Sequence, residues 1–330
     1  MTPPPHILLT GGTGFFGRSL LRHWAATSDA GALTPQVTVL SRNPDTFARN
    51  YPDLARAPWL RVQKGDVCVR TSLPQGQAFS HILHAATDST LGPQLSPLER
   101  YDQIVDGTRN LLDLAIASKA KRFLLTGSGA VYGPQPAGLT HLPESYNGMP
   151  DPLQAGNAYG VAKRTAEHLC ALYFKTHGLE TVVARCFAFV GPDLPLDVHF
   201  AIGNFIRDAL CEPAIMVRGD GSPVRSYLDQ RDLAVWLTQL LDNGVAGEAY
   251  NVGSDQAITV AELANLVGRV LAPNKDVHFS CTASASTDRN IYVPSIEKAR
   301  QALGLQVKIS LEDAIRETAK RVYRQSMGVP

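Results

Sequence analysis

Tyr159 and Lys163 stand four residues apart in Asn157-Ala158-Tyr159-Gly160-Val161-Ala162-Lys163, a spacing that sets both side chains on one face of a helix. A lysine held near a phenol favours the phenolate and lowers the tyrosine pKa toward working pH, so the pair could serve as a general acid or base. Ser128, in Thr126-Gly127-Ser128-Gly129-Ala130, follows an apolar run that reads as a strand. From a strand end its hydroxyl can hold a substrate oxygen while the proton moves. Alone, a Tyr-x-x-x-Lys pair is ordinary helix surface, and it gains meaning only beside a cofactor site.

Such a site is read in Thr10-Gly11-Gly12-Thr13-Gly14-Phe15-Phe16-Gly17, which follows an apolar strand and opens a helix. Gly11, Gly14 and Gly17 give a GxxGxxG spacing: a tight turn, bare backbone for a pyrophosphate, and close helix-on-strand packing. The helix start adds oriented N–H groups and partial positive charge. The cofactor-binding set is therefore Gly11, Thr13, Gly14, Phe15, Phe16 and Gly17, the alternative being a structural turn. Dinucleotide sites usually place a carboxylate at the end of the second strand. Here that strand ends Leu40-Ser41-Arg42-Asn43-Pro44, with no acid. Ser41 can donate to a phosphate and Arg42 can pair with one while stacking on adenine, which favours NADP(H) with NAD(H) as the alternative. The competing reading of Arg42 is a solvated turn residue. Asp66, beside Val67 in Lys64-Gly65-Asp66-Val67, is placed to accept from the adenine amino group, although Gly-Asp is also a common turn.

These residues need a scaffold, and the first half of the chain supplies alternating apolar runs and helical patterns. Strands are expected at 6–10, 37–40, 60–64, 82–86, 122–126 and 181–185, with helices at 14–26, 103–119 and 158–177. The Pro- and Gly-rich stretch between Tyr132 and Asn157 reads as a functional or mobile loop. After Gly191-Pro192 the pattern becomes irregular. The expected fold is α/β, a Rossmann-type doubly wound parallel sheet with a smaller mixed α/β substrate-binding domain. Residues 1–190 would form the dinucleotide-binding domain, with returning segments near 226–256, and 191–330 mainly the substrate domain.

The 31 Lys and Arg nearly balance the 30 Asp and Glu, so no field exists to attract nucleic acid or an anionic membrane. No apolar run is long enough for a membrane span, and no secretory signal is read at the N-terminus. Five scattered cysteines with no CxxC pair suggest reduced thiols in a cytoplasmic protein and no metal site. A small-molecule substrate remains.

The sequence resembles the extended short-chain dehydrogenases/reductases, in the branch of nucleotide-sugar epimerases, dehydratases and reductases. The matching stretches are TGGTGFFG at 10–17, HAAT at 84–87, GSGAVYG at 127–133, YGVAK at 159–163, RCFAFVGP at 185–192, GDGSPVRSYLDQRDLA at 219–234 and YNVGS at 250–254. The resemblance implies Ser128, Tyr159 and Lys163 as the catalytic set, and places Ala85, Ala86 and Thr87 near the cofactor's ribose and nicotinamide. It also implies a nucleotide-diphosphate sugar as substrate, with Ser128 and Gly129 beside the sugar and Arg225 forked onto phosphate. Asn204 would help through its amide, unless it is a helix cap. His199 lines the same cleft or is structural. Dehydratases of this branch carry Thr-Asp-Glu where this chain has Ser128-Gly129-Ala130, and decarboxylases usually keep a glutamate there, so both activities are disfavoured. What remains is NADPH-dependent reduction of a 4-keto sugar, with 4-epimerisation as the runner-up and a non-catalytic dinucleotide-binding regulator behind both. Relatives pair through the two long helices, which implies a homodimer, and the second helix offers Ala166, Leu169, Ala171, Leu172 and Phe174 as apolar surface.

Overall fold

The computed structural model describes residues 4–31, 33–87, 94–198, 200–281 and 290–326. The chain forms two compact units. The first comprises residues 1–133, 147–186 and 234–250; the second comprises 134–146, 187–233 and 251–330. The return to the first unit is thus confined to 234–250, and part of the Pro- and Gly-rich loop groups with the second.

The first unit alternates strand and helix: β1 (His6–Thr10), α1 (Phe15–Asp29), β2 (Gln36–Ser41), α2 (Pro44–Asn50), α3 (Pro52–Ala55), β3 (Leu60–Lys64), β4 (His81–His84), α4 (Pro97–Ala117), β5 (Arg122–Thr126), α5 (Ala158–His177) and β6 (Glu180–Cys186). With the returning strand Ala249–Val252 these make a seven-stranded sheet, ordered from one edge as Ala249–Val252, β6, β5, β4, β1, β2, β3. β1 pairs in parallel with both β2 and β4, so Thr10 lies opposite Leu40 on one side and His84 on the other. The chain reverses direction across the sheet here, and in open α/β sheets ligands bind beyond the strand ends at such a point. The strands read as unbroken apolar runs because helices cover both faces. Leu8, Ile82, Phe123 and Leu125 are buried from the sheet, and Ile104, Leu111, Ala162 and Ala166 meet them from α4 and α5.

Helix α4 begins at Pro97, six residues before the expected 103. Ser96 caps it, accepting from the Glu99 backbone while Glu99 reaches back to the Ser96 N–H. This is a capping box, and the Ser96-Pro97-Leu98-Glu99 pattern signals it. Strand β4 ends at His84 rather than 86, because the chain turns at 85–87, with the Thr87 N–H donating to the Ala85 carbonyl at 3.0 Å.

In the second unit, helices α6 (Ala201–Cys211), Val260–Leu271 and Leu311–Ser326 pack together. They bury Ile202, Phe205, Ile206, Leu263, Val267 and Ile315. Short strands flank them: Val224–Arg225 sits between Ile258–Thr259 and Ile291–Tyr292, and Val277–Phe279 pairs with Ile215–Val217. Among the described residues no helix is long and apolar enough to cross a membrane, and no cluster of His, Cys, Asp and Glu could hold a metal ion.

Candidate active site

The glycine loop leaves β1 with Gly11 at φ +72°, a left-handed conformation that favours glycine. A Cβ on Gly11 would lie 2.4 Å from the Ala85 carbonyl oxygen, and one on Gly17 would lie 2.2 Å from the Gly12 Cα. Gly14 differs: it is exposed, forms the N-cap of the 15-residue α1, and would meet only the Gly11 oxygen at 3.4 Å. Two glycines thus allow close packing, while the third leaves bare backbone at a helix N-terminus. This fits the pyrophosphate of a dinucleotide. Phe15 and Phe16 begin the helix with their rings 5.9 Å apart, and Thr13 is exposed.

Around this loop the other expected residues take unequal places. Arg42 is exposed at the end of β2, whereas Ser41 is buried and its Oγ accepts from the Asn43 N–H at 3.2 Å, closing the turn. Asp66 accepts from the Cys68 N–H at 2.9 Å, a local turn that engages one carboxylate oxygen. The Val67 side chain belongs to the core. Ala85 and Ala86 sit against β1, their N–H groups donating to the Thr10 carbonyl at 3.2 Å and to the Thr10 hydroxyl at 3.3 Å. Thr87 is drawn to the catalytic candidates, since its Oγ1 accepts from Lys163 Nζ at 2.8 Å.

Ser128, Tyr159 and Lys163 come together in the first unit. Ser128 is buried and caps a tight turn, its Oγ accepting from the Ala130 N–H at 3.2 Å, and its hydroxyl is close enough to Tyr159 to favour the phenolate. Gly129 opens that turn and is buried. Gly160 explains the close fit: a Cβ there would stand 2.8 Å from the Ala130 carbonyl oxygen. Lys163 is buried, and its Nζ also donates to the Thr126 carbonyl at 2.9 Å. One turn further along α5, Glu167 takes a two-pronged ion pair from Arg185 of β6, with Nε–Oε1 at 3.1 Å and Nη2–Oε2 at 2.8 Å. Arg185 also donates to the Tyr132 hydroxyl at 2.9 Å, so this cluster fixes α5 against the sheet.

The electrostatics correct the sequence expectation. Burial pushes the Lys163 ammonium down to about 8, and its Nζ lies 6.0 Å from the Tyr159 ring centre. Burial likewise pushes the Tyr159 phenol above its ordinary value, against opposing effects of the Ser128 hydroxyl and of Arg100. Lys163 therefore does not bring the phenol down toward neutral pH in the free protein. Arg100 of α4 lies over the ring, with its guanidinium carbon 4.3 Å from the centre. Sequence reasoning missed it, because nothing local in Pro97-Leu98-Glu99-Arg100 shows that the residue faces α5. His84 is a satisfied core histidine, bonded to Thr10 at 2.8 Å and Thr108 at 3.3 Å and held neutral by burial, with its pKa down to about 3.

The second unit holds the other expected contacts. Asn204 is not a helix cap: α6 is capped by Phe200, and Asn204 lies inside the first turns. It lines a cavity of about 630 Å³ together with Arg207, Asp208, Glu212, Met216 and Arg218. Its Oδ1 accepts from Arg207 at 3.2 Å, and Arg207 is paired with Asp208 at 2.7 Å. Arg225 is not among the residues lining that cavity. Its Nη1 donates to the carbonyls of Val224 at 2.8 Å and Asn290 at 2.7 Å, bracing the small sheet. His199 lies outside the described residues. Of the five α5 residues expected to offer apolar surface, Ala166 and Leu169 are buried in the core while Ala171, Leu172 and Phe174 are exposed.

The sheet order and the glycine-loop helix define a Rossmann-type dinucleotide-binding protein. A profile described as the NAD dependent epimerase/dehydratase family matches residues 7–253, and the chain belongs to that family of enzymes. It is similar to UDP-glucuronic acid decarboxylase 1 of Arabidopsis thaliana, 31% identical over 310 residues that cover 94% of this chain and 68% of that protein. UDP-glucuronic acid decarboxylase 6 of the same plant is 29% identical over 98% of this chain and 90% of its own. Among solved structures, a dTDP-glucose 4,6-dehydratase double mutant from Streptomyces venezuelae with NAD bound superposes with a TM-score of 0.82 at 24% identity, covering 98% of each chain. UDP-glucose 4-epimerase from Thermotoga maritima gives 0.78 at 21% identity, over 98% of this chain and 99% of that one.

Proposed function

We propose that this chain moves a hydride and a proton at one carbon of a nucleotide-diphosphate sugar, in the net direction of reducing a 4-keto group with NADPH. The observation that carries this reading is the composition of the catalytic cluster. Tyr159, Ser128 and Lys163 are assembled, while Gly129 and Ala130, where dehydratases of the branch carry acidic residues, bring no second acid or base. One proton-transfer group suffices for reduction or oxidation at a single carbon; eliminating water needs more. The nicotinamide would supply the hydride. Tyr159 would donate its proton to the carbonyl oxygen, and its raised pKa keeps that proton in place at neutral pH. Ser128 orients the carbonyl, and Lys163, anchored to Thr87 and Thr126, is set to hold the ribose. The 11–17 loop, Ala85 and Ala86 would hold the cofactor, with Ser41 closing the turn that carries Arg42 toward a 2′-phosphate. Asn204, in its cavity, and Arg225 are the proposed contacts of the nucleotide diphosphate.

A second reading, decarboxylation of a UDP-uronic acid, is favoured by the similarity over nearly the whole chain to UDP-glucuronic acid decarboxylases. The two separate in one assay. Protein given a 4-keto sugar nucleotide and NADPH consumes NADPH one-for-one with substrate and loses about 10²- to 10⁴-fold in rate as Tyr159→Phe. Release of carbon dioxide from UDP-glucuronic acid without net NADPH use would replace the first reading with the second, and interconversion of two sugar nucleotides would identify an epimerase. We also propose a homodimer through α4 and α5, supported by exposed Ile116, Leu172 and Phe174.

A further inference from the structure

We propose that Arg100 is the positioning residue for proton transfer at Tyr159: its guanidinium, lying over the phenol ring from α4, supplies the positive field that steadies the phenolate as the proton leaves. This rests on Tyr159 as the acid/base of the reaction. Three observations carry it. The guanidinium carbon is 4.3 Å from the ring centre, well inside the range of a cation–π contact, and closer than the Lys163 Nζ at 6.0 Å. Arg100 has no carboxylate partner among the described residues, and its Nε is buried without a hydrogen-bond partner there, so its charge is turned on the ring. The capping box of Ser96 and Glu99 fixes the helix turn that presents it.

The lysine is otherwise committed. Its ammonium donates to Thr87 and Thr126, and burial leaves it only partly charged near pH 8. A guanidinium stays charged throughout the working range. A cation over a ring attracts a phenolate more strongly than a phenol, so the contact strengthens as the proton moves, which is where it aids the reaction. The groups facing Tyr159 are Ser128 from the β5 turn, Arg100 from α4, Lys163 on its own helix and the Cys186 thiol at the end of β6, which burial keeps neutral at about 12. Of these Arg100 is the permanent charge.

The test is a titration that needs no turnover. In protein labelled at tyrosine ¹³Cζ, the resonance missing from Tyr159→Phe reports this phenol. In Arg100→Met and Arg100→Gln its midpoint should move to higher pH than in the unsubstituted protein, with Arg100→Lys between. The limb of the pH–rate profile set by Tyr159 should move the same way. Coincident titration curves across the four proteins would overturn the proposal, even if the substitutions lower the melting temperature. Loss of the Tyr159 role itself would show separately, as undiminished turnover by Tyr159→Phe.

Discussion

Of the places the sequence offers for phosphate, the glycine loop at 11–17 and Arg225 are treated differently by the structure. The loop's contribution is made by the backbone. Gly11 and Gly17 are required by contacts of 2.4 and 2.2 Å that no side chain could accept, and what they leave at Gly14 is a clear helix start. Arg225 is a long side chain whose Nη1 already braces two carbonyls of its own sheet. A site built from backbone is fixed by neighbours in the sequence, whereas a site built from flexible side chains depends on partners that only the fold brings near.

The strongest way to break the comparison is at the glycines themselves. Gly11→Ala and Gly17→Ala should each cost about 2–4 kcal/mol of stability, from the backbone clash and, at Gly11, the left-handed φ, and should abolish dinucleotide binding. Gly14→Ala should fold with little loss and bind dinucleotide more weakly, because its added methyl meets only the Gly11 oxygen at 3.4 Å. Thermal melts with a dinucleotide titration check both. Equal behaviour of all three would mean that the loop is a structural turn.

Lys163 sharpens the same contrast, since its cost is electrostatic rather than steric. Its folded pKa, about 8, lies below that of the unfolded chain. Below about pH 8 both states carry the proton and the penalty is full and constant. Between 8 and about 10.4 the unfolded state binds more protons, so folding stability should rise with pH, by on the order of 3 kcal/mol in total. Lys163→Met removes this rise, and denaturant melts of the two proteins across that window measure the difference.

In the second unit the expectation is a separation of roles. Arg225→Met should lower stability by about 1–3 kcal/mol as its two carbonyls lose their donor, with nucleotide affinity falling alongside. Asn204→Ala should leave the melt unchanged and weaken binding of UDP or dTDP about three- to tenfold, the worth of one hydrogen bond. Calorimetry paired with thermal melts reads both. A pure affinity loss for Arg225→Met, with the melt unchanged, would show that its two carbonyl contacts do not brace the sheet.

The legible part of the molecule is the part built from local rules. Apolar runs of β1, β5 and β6, the loop glycines and the Tyr-x-x-x-Lys spacing each carry their meaning within a few residues, and they point to the sheet and to the Ser128, Tyr159 and Lys163 trio that the fold brings together. The capping box at Ser96 is equally local, yet a helix read from 103 misses it by about a turn and a half. What was hidden is tertiary. Arg100 stands 59 positions from Tyr159, and Thr87 stands 76 from Lys163, so neither contact has a period or spacing to reveal it. Gly160 lay inside a recognised motif, but its reason, the Ala130 carbonyl at 2.8 Å, exists only once α5 docks.

Arg42 lies between these cases, a side chain placed by a local turn. Ser41 is buried and closes that turn through Asn43, which leaves Arg42 exposed at the β2 end where a 2′-phosphate would lie. An exposed guanidinium is screened by water and salt, so its contribution is modest and depends on ionic strength. Arg42→Ala should weaken NADP(H) binding about five- to tenfold, and NAD(H) binding less than twofold, at low ionic strength. The gap should narrow in 0.5 M salt, because Coulombic selectivity at a surface is screened over a few ångströms. Fluorescence titration with both dinucleotides at two salt concentrations supplies all four numbers. If the two cofactors lose affinity equally, Arg42 touches only what they share, and the selectivity for NADP(H) drops out of the proposed function while the catalytic cluster stands.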